Sequence, residues 1–217
     1  MTCSQCQGIE EQFNDAEARK KLRRLRRRGP DRTTKLLIAA IKRSLEDREL
    51  HEPALLDVGA GIGAIHHELL DAGVARAVHV DASSAHMTAA REEAARRGHD
   101  ARVAFVQGNF VEQARNLDEA EIVTLDRVIC CYDDMTRLVS LSAAKAMKIY
   151  GAVYPRRMPW MPALFAAMNF IMRLKKSPFR VFLHDPEAID GVLRQNGLGR
   201  TYLRRTVAWE VVLYERS

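Results

Sequence analysis

A glycine-rich turn between two regular segments constrains the fold of this 217-residue chain more than any other feature. Residues 55–64 read LLDVGAGIGA. The apolar run before the glycines predicts a buried strand, and AIHHELLDAG after them predicts a helix. Glycine tolerates positive φ and lets backbone amides approach a ligand closely. The turn fits two templates: the dinucleotide fingerprint, with Ala64 in its last place, and a series of alternate glycines, Gly59, Gly61 and Gly63.

Strands and helices alternate after this turn. Further strands are predicted at AVHVDA, RVAFVQGN, EIVTLD and KIYGAVYP, and helices at 84–98, 135–147 and 185–197. Such alternation implies right-handed crossovers and a parallel sheet. Because no helix separates RTYLRRT from AWEVVLYER, these two runs predict an antiparallel hairpin. We expect an α/β, Rossmann-like fold with a seven-stranded, mostly parallel sheet, an antiparallel C-terminal hairpin and helices on both faces.

The first 52 residues predict a helical N-terminal cap before the main domain of residues 53–217. One helix is expected from residue 8 to Gly29-Pro30, and a second, capped by Asp31 or Thr33, follows it. An apolar insertion at about 158–178 interrupts the main domain. It suits a lid over a flat or hydrophobic substrate, and equally a dimer interface, core packing or contact with a membrane surface.

Charge is concentrated near the N-terminus. The net charge is +6, and eight of the 34 Lys and Arg residues lie within 19–28. This basic segment could attract phosphates, acidic lipid or RNA, although a solvated helix face is the commoner outcome. We recognise neither a signal peptide nor an apolar run of about 18 residues, and so expect a cytoplasmic protein without a transmembrane segment.

Polar residues at the strand ends favour S-adenosylmethionine (SAM) over NAD as the ligand of the turn. Asp81 ends the second strand, where it can accept hydrogen bonds from ribose hydroxyls. Asp57, two residues before the first glycine, can organise the positively charged aminopropyl end of SAM. The amide of Asn109 could meet the adenine edge. The chain is also too short for a dinucleotide half plus a substrate domain.

The pattern resembles the class I SAM-dependent methyltransferases over roughly residues 53–217. LLDVGAGIGA, VHVDAS, VQGNF and EIVTLDRVICCYDD resemble its four motifs in order, with Asn109 in a place where members usually carry Asp. In layout the chain is most similar to small-molecule methyltransferases of the quinone and magnesium-porphyrin kind, whose N-terminal helices close over the cofactor. The resemblance implies SAM as cofactor, with these binding residues: Asp57, Gly59, Ala60, Gly61, Gly63, Asp81, Ala82, Ser83, Asn109, Phe110 and Asp126.

The residues after the fourth strand are expected to border the transferred methyl group. Asp126 and Tyr132 are the catalytic candidates, Asp126 as a base or cofactor-side acceptor and Tyr132 as a hydroxyl donor or stacking ring. A turn-forming acid and a core aromatic are the alternatives. No general base motif is required, because methyl transfer from a sulfonium is an in-line displacement. The NPPY or DPPY signature of nucleic-acid amino methylation is absent from this position.

Other side chains are candidates for substrate contact. They are Arg127, Cys130, Cys131, Tyr132 and His184. Arg127 suits an acidic substrate, although a surface cation is the commoner case. Cys3 and Cys6 have metal-ligand spacing, but adjacent cysteines are poor ligands for one tetrahedral ion, so we expect no metal and inert, buried Cys130 and Cys131. His66 and His67 are expected to pack or to face solvent.

The sequence therefore predicts SAM-dependent methyl transfer to a small, hydrophobic or planar acceptor by a monomer or homodimer. An RNA or protein methyltransferase that docks through the basic segment 19–28 is one alternative, with nucleic acid the less favoured partner. A non-catalytic cofactor-binding fold that acts through protein contacts is the other. Peripheral contact with a membrane is compatible with all three.

Overall fold

Seven strands form one mixed sheet in a computed structural model that describes residues 4–216, with side chains described from residue 7. The strands are β1 Ala54–Val58, β2 Arg76–Asp81, β3 Val103–Gln107, β4 Ala120–Asp126, β5 Ala146–Pro155, β6 Leu198–Arg205 and β7 Trp209–Arg216. Their order across the sheet is β3-β2-β1-β4-β5-β7-β6. β1 to β5 pair in parallel, and β7 runs antiparallel to both β5 and β6. The predicted fold class is confirmed.

Nine α-helices occur in this part of the chain. They are α1 Ser4–Gln12, α2 Asp15–Arg28, α3 Arg32–Asp47, α4 Ala64–Leu70, α5 Ser84–Arg97, α6 Phe110–Gln113, α7 Met135–Ala144, α8 Met161–Leu174 and α9 Pro186–Gln195. None of them, between residues 4 and 216, is long and apolar enough to cross a membrane. Asp31 caps α3, as predicted, by accepting a hydrogen bond from the N–H of Thr34. The connection between α3 and β1 contains the predicted domain boundary at residue 53.

Two predicted helices have different bounds in the structure. The segment 8–29 was expected to be one helix, but Asn14 adopts an extended conformation and its side chain caps a new helix at the N–H groups of Ala16 and Glu17. An Asn that bonds its own following backbone competes with helix continuation, which explains the break. Helix α7 ends three residues before its predicted end because Ala146 already pairs with β4.

Apolar side chains fill both faces of the sheet. On one face, Leu37 and Ile41 of α3 are fully buried against β1, β4, β5 and β7. Gly151 of β5 admits this close packing, since a Cβ there would lie 2.8 Å from a methyl of Leu37. On the other face α7 and α9 contribute Leu138 and Leu193. The two layers leave the carboxyl ends of β1, β2 and β4 accessible from one end of the sheet.

The N-terminal helix α2 lies across α5 and not on the sheet. Its buried residues Ala18, Leu22 and Leu25 pack with Ile62, Ala85 and Ala89. Arg26 crosses to the fully buried Glu93 of α5 with 2.9 Å between Nε and Oε2. Burial alone would raise the pKa of Glu93, but hydrogen bonds from Arg96, Arg97 and Arg26 hold it well below its usual range. This contact fixes α2 above the strand ends.

Candidate functional site

A cavity of about 430 Å³ lies where the strands β1, β2 and β4 end. Nine residues predicted to bind the cofactor line it: Asp57, Gly59, Ala60, Gly61, Asp81, Ala82, Asn109, Phe110 and Asp126. Three of the residues predicted to contact substrate also line it: Arg127, Cys131 and Tyr132. Gly63, Ser83, Cys130 and His184 lie outside the lining. Residues far apart in sequence thus share one cavity at the carboxyl edge, where ligands bind in open α/β sheets.

The glycine turn fits tightly under the loop that follows β4. Gly59 has φ 62°, and its N–H donates to the carbonyl of Val80 at 2.7 Å. A Cβ at Gly59 would come within 2.4 Å of a Val128 methyl, so any side chain here would displace that loop. Gly61, in contrast, has open space on its Cβ side apart from a His86 ring atom 3.9 Å away. The turn therefore has one face against the protein and the other toward the cavity.

Asp81 is held at the edge of the cavity by backbone donors. The N–H of Gly61 donates to Oδ2 at 2.7 Å, and the N–H of Ser83 donates to Oδ1 at 2.8 Å. Burial raises the pKa of Asp81 above its usual range even though His86 and the two backbone hydrogen bonds act in the opposite direction. Ser83, not Asp81, caps α5. The Asp81 carboxylate retains lone pairs for a ligand, because a carboxylate offers about four acceptor sites.

Asp57 is buried beneath the glycine turn and bonded within the protein. It is 1% exposed, its Oδ1 accepts from the Thr124 hydroxyl at 2.7 Å, and its Oδ2 lies 3.2 Å from His66 Nδ1. Both oxygens are thus bonded within the protein, although Asp57 also borders the cavity. Asp57 is the penultimate residue of β1, so its hydrogen bonds hold the end of the strand from which the glycine turn begins.

A cluster of buried histidines lies behind the glycine turn, and His66 and His67 pack within it. His67 Nδ1 is 3.1 Å from His99 Nδ1, and the His66 and His79 rings meet edge to face at 5.1 Å. Within the described side chains, both ring nitrogens of His79 and Nε2 of His66 and His67 have no hydrogen-bond partner. Burial lowers the pKa of His67 to about 2 and that of His79 well below its usual range, so both are neutral at pH 7.

An ionic network joins the N-terminal helices to the end of β4. Arg127 donates from Nε to Asp126 Oδ1 at 2.9 Å and from Nη1 to Asp31 Oδ2 at 2.5 Å. The Thr34 hydroxyl lies 2.5 Å from Asp126 Oδ2 and 3.0 Å from Asp31 Oδ1. Arg127 adopts φ 62°, and its side chain bonds the carboxylate of the preceding residue, Asp126. The network places the Asp126 carboxylate at the cavity wall with α3 beside it.

The charges in this network shift one another's titration. Burial raises the pKa of Asp126 above its usual range, and the opposing charge of Arg127 offsets this only in part. Burial would also raise the pKa of Asp31, but Arg127 and the hydrogen bonds from Thr34 lower it to about 2. The two carboxylates in turn hold the pKa of Arg127 above its usual range. Arg127 is therefore a permanent cation shared by two acids.

Tyr132 connects the third and fourth strand ends. Its hydroxyl is 3.4 Å from Asn109 Nδ2, and Asn109 Oδ1 caps α6 by accepting from the N–H of Val111. His184 Nε2 contacts the carbonyl of Tyr132 at 2.8 Å, so this histidine reaches the loop bearing Tyr132 but not the cavity itself. Cys131 faces the cavity, while Cys130 lies behind it. A hydrogen bond shared with Cys131, together with burial, raises the pKa of Cys130.

The roof of the cavity comes from the N-terminal helices and contains residues that the sequence analysis did not assign to the site. They are Ile9, Phe13, Lys21, Arg24, Leu25, Gly29, Pro30, Asp31 and Thr34. The Phe13 ring lies 5.1 Å from that of His86, and the Lys21 ammonium lies 4.7 Å from the centre of the Phe13 ring. No motif marks these residues as part of a site, because each reaches the cavity only through the packing of the N-terminal helices on the rest of the fold.

The apolar insertion lies beside the cavity without lining it. None of residues 158–178 belongs to the lining as the structure describes it. The segment after α8 does reach the site loop, where the Phe182 N–H donates to the carbonyl of Cys130 at 2.8 Å. It also meets α1, since a Cβ at Gly8 would lie 2.4 Å from the backbone nitrogen of Phe179.

The described side chains contain no group of three or more His, Cys, Asp or Glu residues suited to hold a metal ion. Cys3 and the side chain of Cys6 lie outside the described part of the chain, so their pairing with a metal is not addressed by it.

Comparison with known proteins gives one family match. Residues 55–149 match the family model of a methyltransferase domain. This segment runs from β1 to β5 and includes the glycine turn, Asp81, Asn109 and Asp126. No curated protein matches the chain significantly.

Several solved structures share the fold. Magnesium protoporphyrin IX methyltransferase from Synechocystis PCC 6803, solved with bound SAM, has a TM-score of 0.72 at 15% identity and covers 100% of this chain and 99% of its own. An O-methyltransferase family protein from Burkholderia thailandensis has a TM-score of 0.63 at 18% identity, and the match covers 97% of this chain and 71% of that protein. An O-methyltransferase family 2 protein from Planctomyces limnophilus DSM 3776 in complex with apigenin has a TM-score of 0.60 at 16% identity, and the match covers 83% of this chain and 62% of that protein. At such identities the likeness establishes the fold alone.

Proposed function

We propose that this chain methylates a small, hydrophobic or planar acceptor, because residues 55–149 match the family model of a methyltransferase domain. The observation that carries the proposal is the arrangement of polar residues and apolar residues on two sides of one cavity. The residues predicted to bind the cofactor form the floor of the cavity, and apolar side chains from the region of α1 and α2 form its roof. A cavity of about 430 Å³ falls within the usual size range of small-molecule sites, roughly 300–1,000 Å³.

The floor of the cavity fits SAM by the chemistry of its donors and acceptors. Asp81 can accept from the ribose hydroxyls, and the side of Gly61 toward the cavity is free of close contacts. The Asn109 amide and the buried Phe110 suit the polar edge and the face of an adenine ring. When bound, SAM supplies a methyl group on a sulfonium sulfur, and the protein aligns an acceptor with it.

The residues of this chain contribute alignment, exclusion of water and local charge. The roof residues Phe13 and Leu25 cover the cavity and keep solvent away from a reacting pair. We assign Asp126 to the wall nearest the acceptor, where its carboxylate, with a pKa raised by burial, can accept a proton or orient a donor. Tyr132 can donate its hydroxyl or stack on a planar acceptor. Arg127, bonded to both acids, positions Asp126 in this scheme.

The small molecules named with two of the similar structures support the acceptor class proposed for this chain. The structures described above include a protoporphyrin methyltransferase and an O-methyltransferase family protein in complex with apigenin. Both named molecules are small and planar. The insertion at 158–178 can act as a lid only by moving, since its residues lie outside the cavity lining in the described structure.

Methyl transfer from radiolabelled SAM tests the proposal. The purified protein is incubated with separate pools of hydrophobic or planar small molecules, mixed RNA and unmethylated protein extract. We expect label in the small-molecule pools, and its loss in Asp81→Ala, which lacks the ribose acceptor. Tyr132→Phe separates the roles of the site, because it should lower kcat while leaving the affinity for SAM unchanged. Label confined to RNA or protein would overturn the proposed acceptor class.

The exposed side of α2 is the feature that the RNA or protein alternative requires. Arg19, Lys20 and Arg23 are exposed there, while the opposite side of the helix packs on α5. The triple variant Arg19→Gln, Lys20→Gln, Arg23→Gln removes three cations without touching that packing. Unchanged transfer to small acceptors by this variant supports the proposal. A loss of activity that tracks salt concentration would favour docking of a nucleic acid.

A further inference from the structure

Helix α8 presents an apolar face to solvent. Its exposed side, together with the N-cap residue Trp160, carries large apolar residues at helical spacing: Leu164, Phe170, Ile171 and Leu174. Phe170 is 60% exposed and Leu174 is 68% exposed, the highest values among the large apolar residues of this helix. Single exposed apolar residues are ordinary, but these five together form a patch of the kind that marks an interaction surface.

The other side of α8 is anchored to the protein, so the apolar face is fixed in position. Met161 is buried, and the Asn169 side chain makes two hydrogen bonds to the backbone of Val181. Its Nδ2 donates to the carbonyl at 2.8 Å, and its Oδ1 accepts from the N–H at 2.9 Å. The exposed face is therefore presented outward by a packed helix.

The segment that contains α8 carries an excess of positive charge. The sequence from Arg156 to His184 contains six cations and no carboxylate. Arg173, Lys175 and Lys176 are exposed at the end of α8, and they make no ion pair within the described part of the chain. An apolar face flanked by cations is the pattern of a helix that lies in the interface of an anionic bilayer.

The same charges disfavour a second copy of this chain as the partner. A two-fold contact through α8 would oppose the same patch on both copies. Arg173, Lys175 and Lys176 of each copy would then lie in or beside the contact with no ion-pair partner of their own among the described residues, since the carboxylate nearest to this segment, Asp185, already pairs with Arg157. An anionic lipid surface satisfies both the apolar residues and the charges.

We propose that α8 is a membrane-docking helix that binds anionic lipid with its apolar face in the interface. The segment that follows α8 contacts the site loop through Phe182 to Cys130 and through His184 to Tyr132. Docking therefore brings the wall of the cavity close to the bilayer, where hydrophobic molecules partition. The inference concerns binding to lipid and does not depend on the identity of the acceptor.

Co-sedimentation with vesicles tests the proposal on the full-length protein. Vesicles of phosphatidylcholine containing phosphatidylglycerol are compared with vesicles of phosphatidylcholine alone. We expect binding to the anionic vesicles and a blue shift of tryptophan emission that Trp160→Phe removes. The double variant Phe170→Ser, Leu174→Ser should lower the partition coefficient at least tenfold, since each side chain loses its burial in lipid. Met147→Ser, an exposed apolar residue at the opposite end of β5 from Pro155, should leave it unchanged.

Neutralising cations tests the electrostatic part separately. Lys175→Gln combined with Lys176→Gln should weaken binding to anionic vesicles about 30-fold, at about 1 kcal/mol per cation. Circular dichroism confirms that every variant is folded. The proposal is overturned if the wild-type protein does not bind anionic vesicles at low salt, or if Phe170→Ser, Leu174→Ser binds them equally well. A homodimer in sedimentation velocity that this double variant dissociates would also overturn it, by assigning the face to a second copy.

Discussion

The buried histidines behind the glycine turn make the stability of this protein sensitive to mild acid. The pKa of His67 is about 2 in the folded protein, against about 6.5 for an unperturbed histidine. As the pH falls below 6.5, the unfolded chain binds a proton at this residue and the folded protein does not. Each pH unit in this window therefore lowers the free energy of unfolding by about 1.4 kcal/mol for His67 alone, or about 2 kcal/mol between pH 7 and pH 5.

His79 offers a clean perturbation of the same kind. Burial lowers its pKa well below the usual value, and neither ring nitrogen has a hydrogen-bond partner among the described residues. His79→Leu removes a titrating group and two unpartnered polar atoms at similar volume. We expect the variant to be at least as stable as the wild-type protein at pH 7.5. Below pH 6.5 its stability should fall less steeply with decreasing pH than that of the wild-type protein.

Urea denaturation followed by circular dichroism at pH 7.5, 6.5, 5.5 and 5.0 measures both effects. His51→Leu is the matched control, because His51 is exposed and its replacement should leave the slope unchanged. An equal slope for His79→Leu and the wild-type protein would refute the reasoning. So would a loss of more than about 2 kcal/mol at pH 7.5, since it would mean that His79 is satisfied by a partner and stabilises the fold.

Two further substitutions test the contacts that shape the site. Arg127→Ala leaves the Asp126 and Asp31 carboxylates without their shared cation. We expect the free energy of unfolding, measured with urea or heat, to fall by about 2 kcal/mol, a value between those of exposed and buried ion pairs. An unchanged free energy of unfolding would contradict a stabilising role of the network. Gly59→Ala places a Cβ 2.4 Å from Val128 and should weaken SAM binding at least tenfold in calorimetry. Adding Val128→Ala should restore part of that affinity, and failure to do so would place the clash elsewhere.

The sequence predicted the parts of the fold that depend on local pattern. The strand, glycine turn and helix at 54–70 could be predicted because short-range features encode them. The spacing of apolar residues indicates the strand and the helix, and the glycines indicate a turn with positive φ. Asp81 was placed correctly at a strand end because the carboxyl ends of parallel strands share one edge of the sheet. The hairpin β6–β7 followed from the absence of a helix between two strand-like runs.

The roof of the cavity could not be predicted in the same way. Phe13 and Lys21 reach the site because α2 packs on α5, more than 60 residues away, and no local spacing encodes that contact. Asn14 shows that local prediction also fails at single residues, because its side chain caps a new helix within a run of good helix formers. The histidine cluster draws on three segments, and its members became neighbours only when α4, β2 and the loop before β3 packed together.

Calorimetric titration of SAM into the purified protein tests the central claim most directly, because it asks whether the cavity at the strand ends is the cofactor site. The isosteric variant Asp81→Asn loses the charge that would accept from the ribose while it keeps the volume of the side chain. We predict micromolar binding by the wild-type protein and at least a tenfold weaker affinity for Asp81→Asn, as expected for loss of hydrogen bonds to a charged acceptor. No binding by the wild-type protein, or equal affinity for both, would contradict the account.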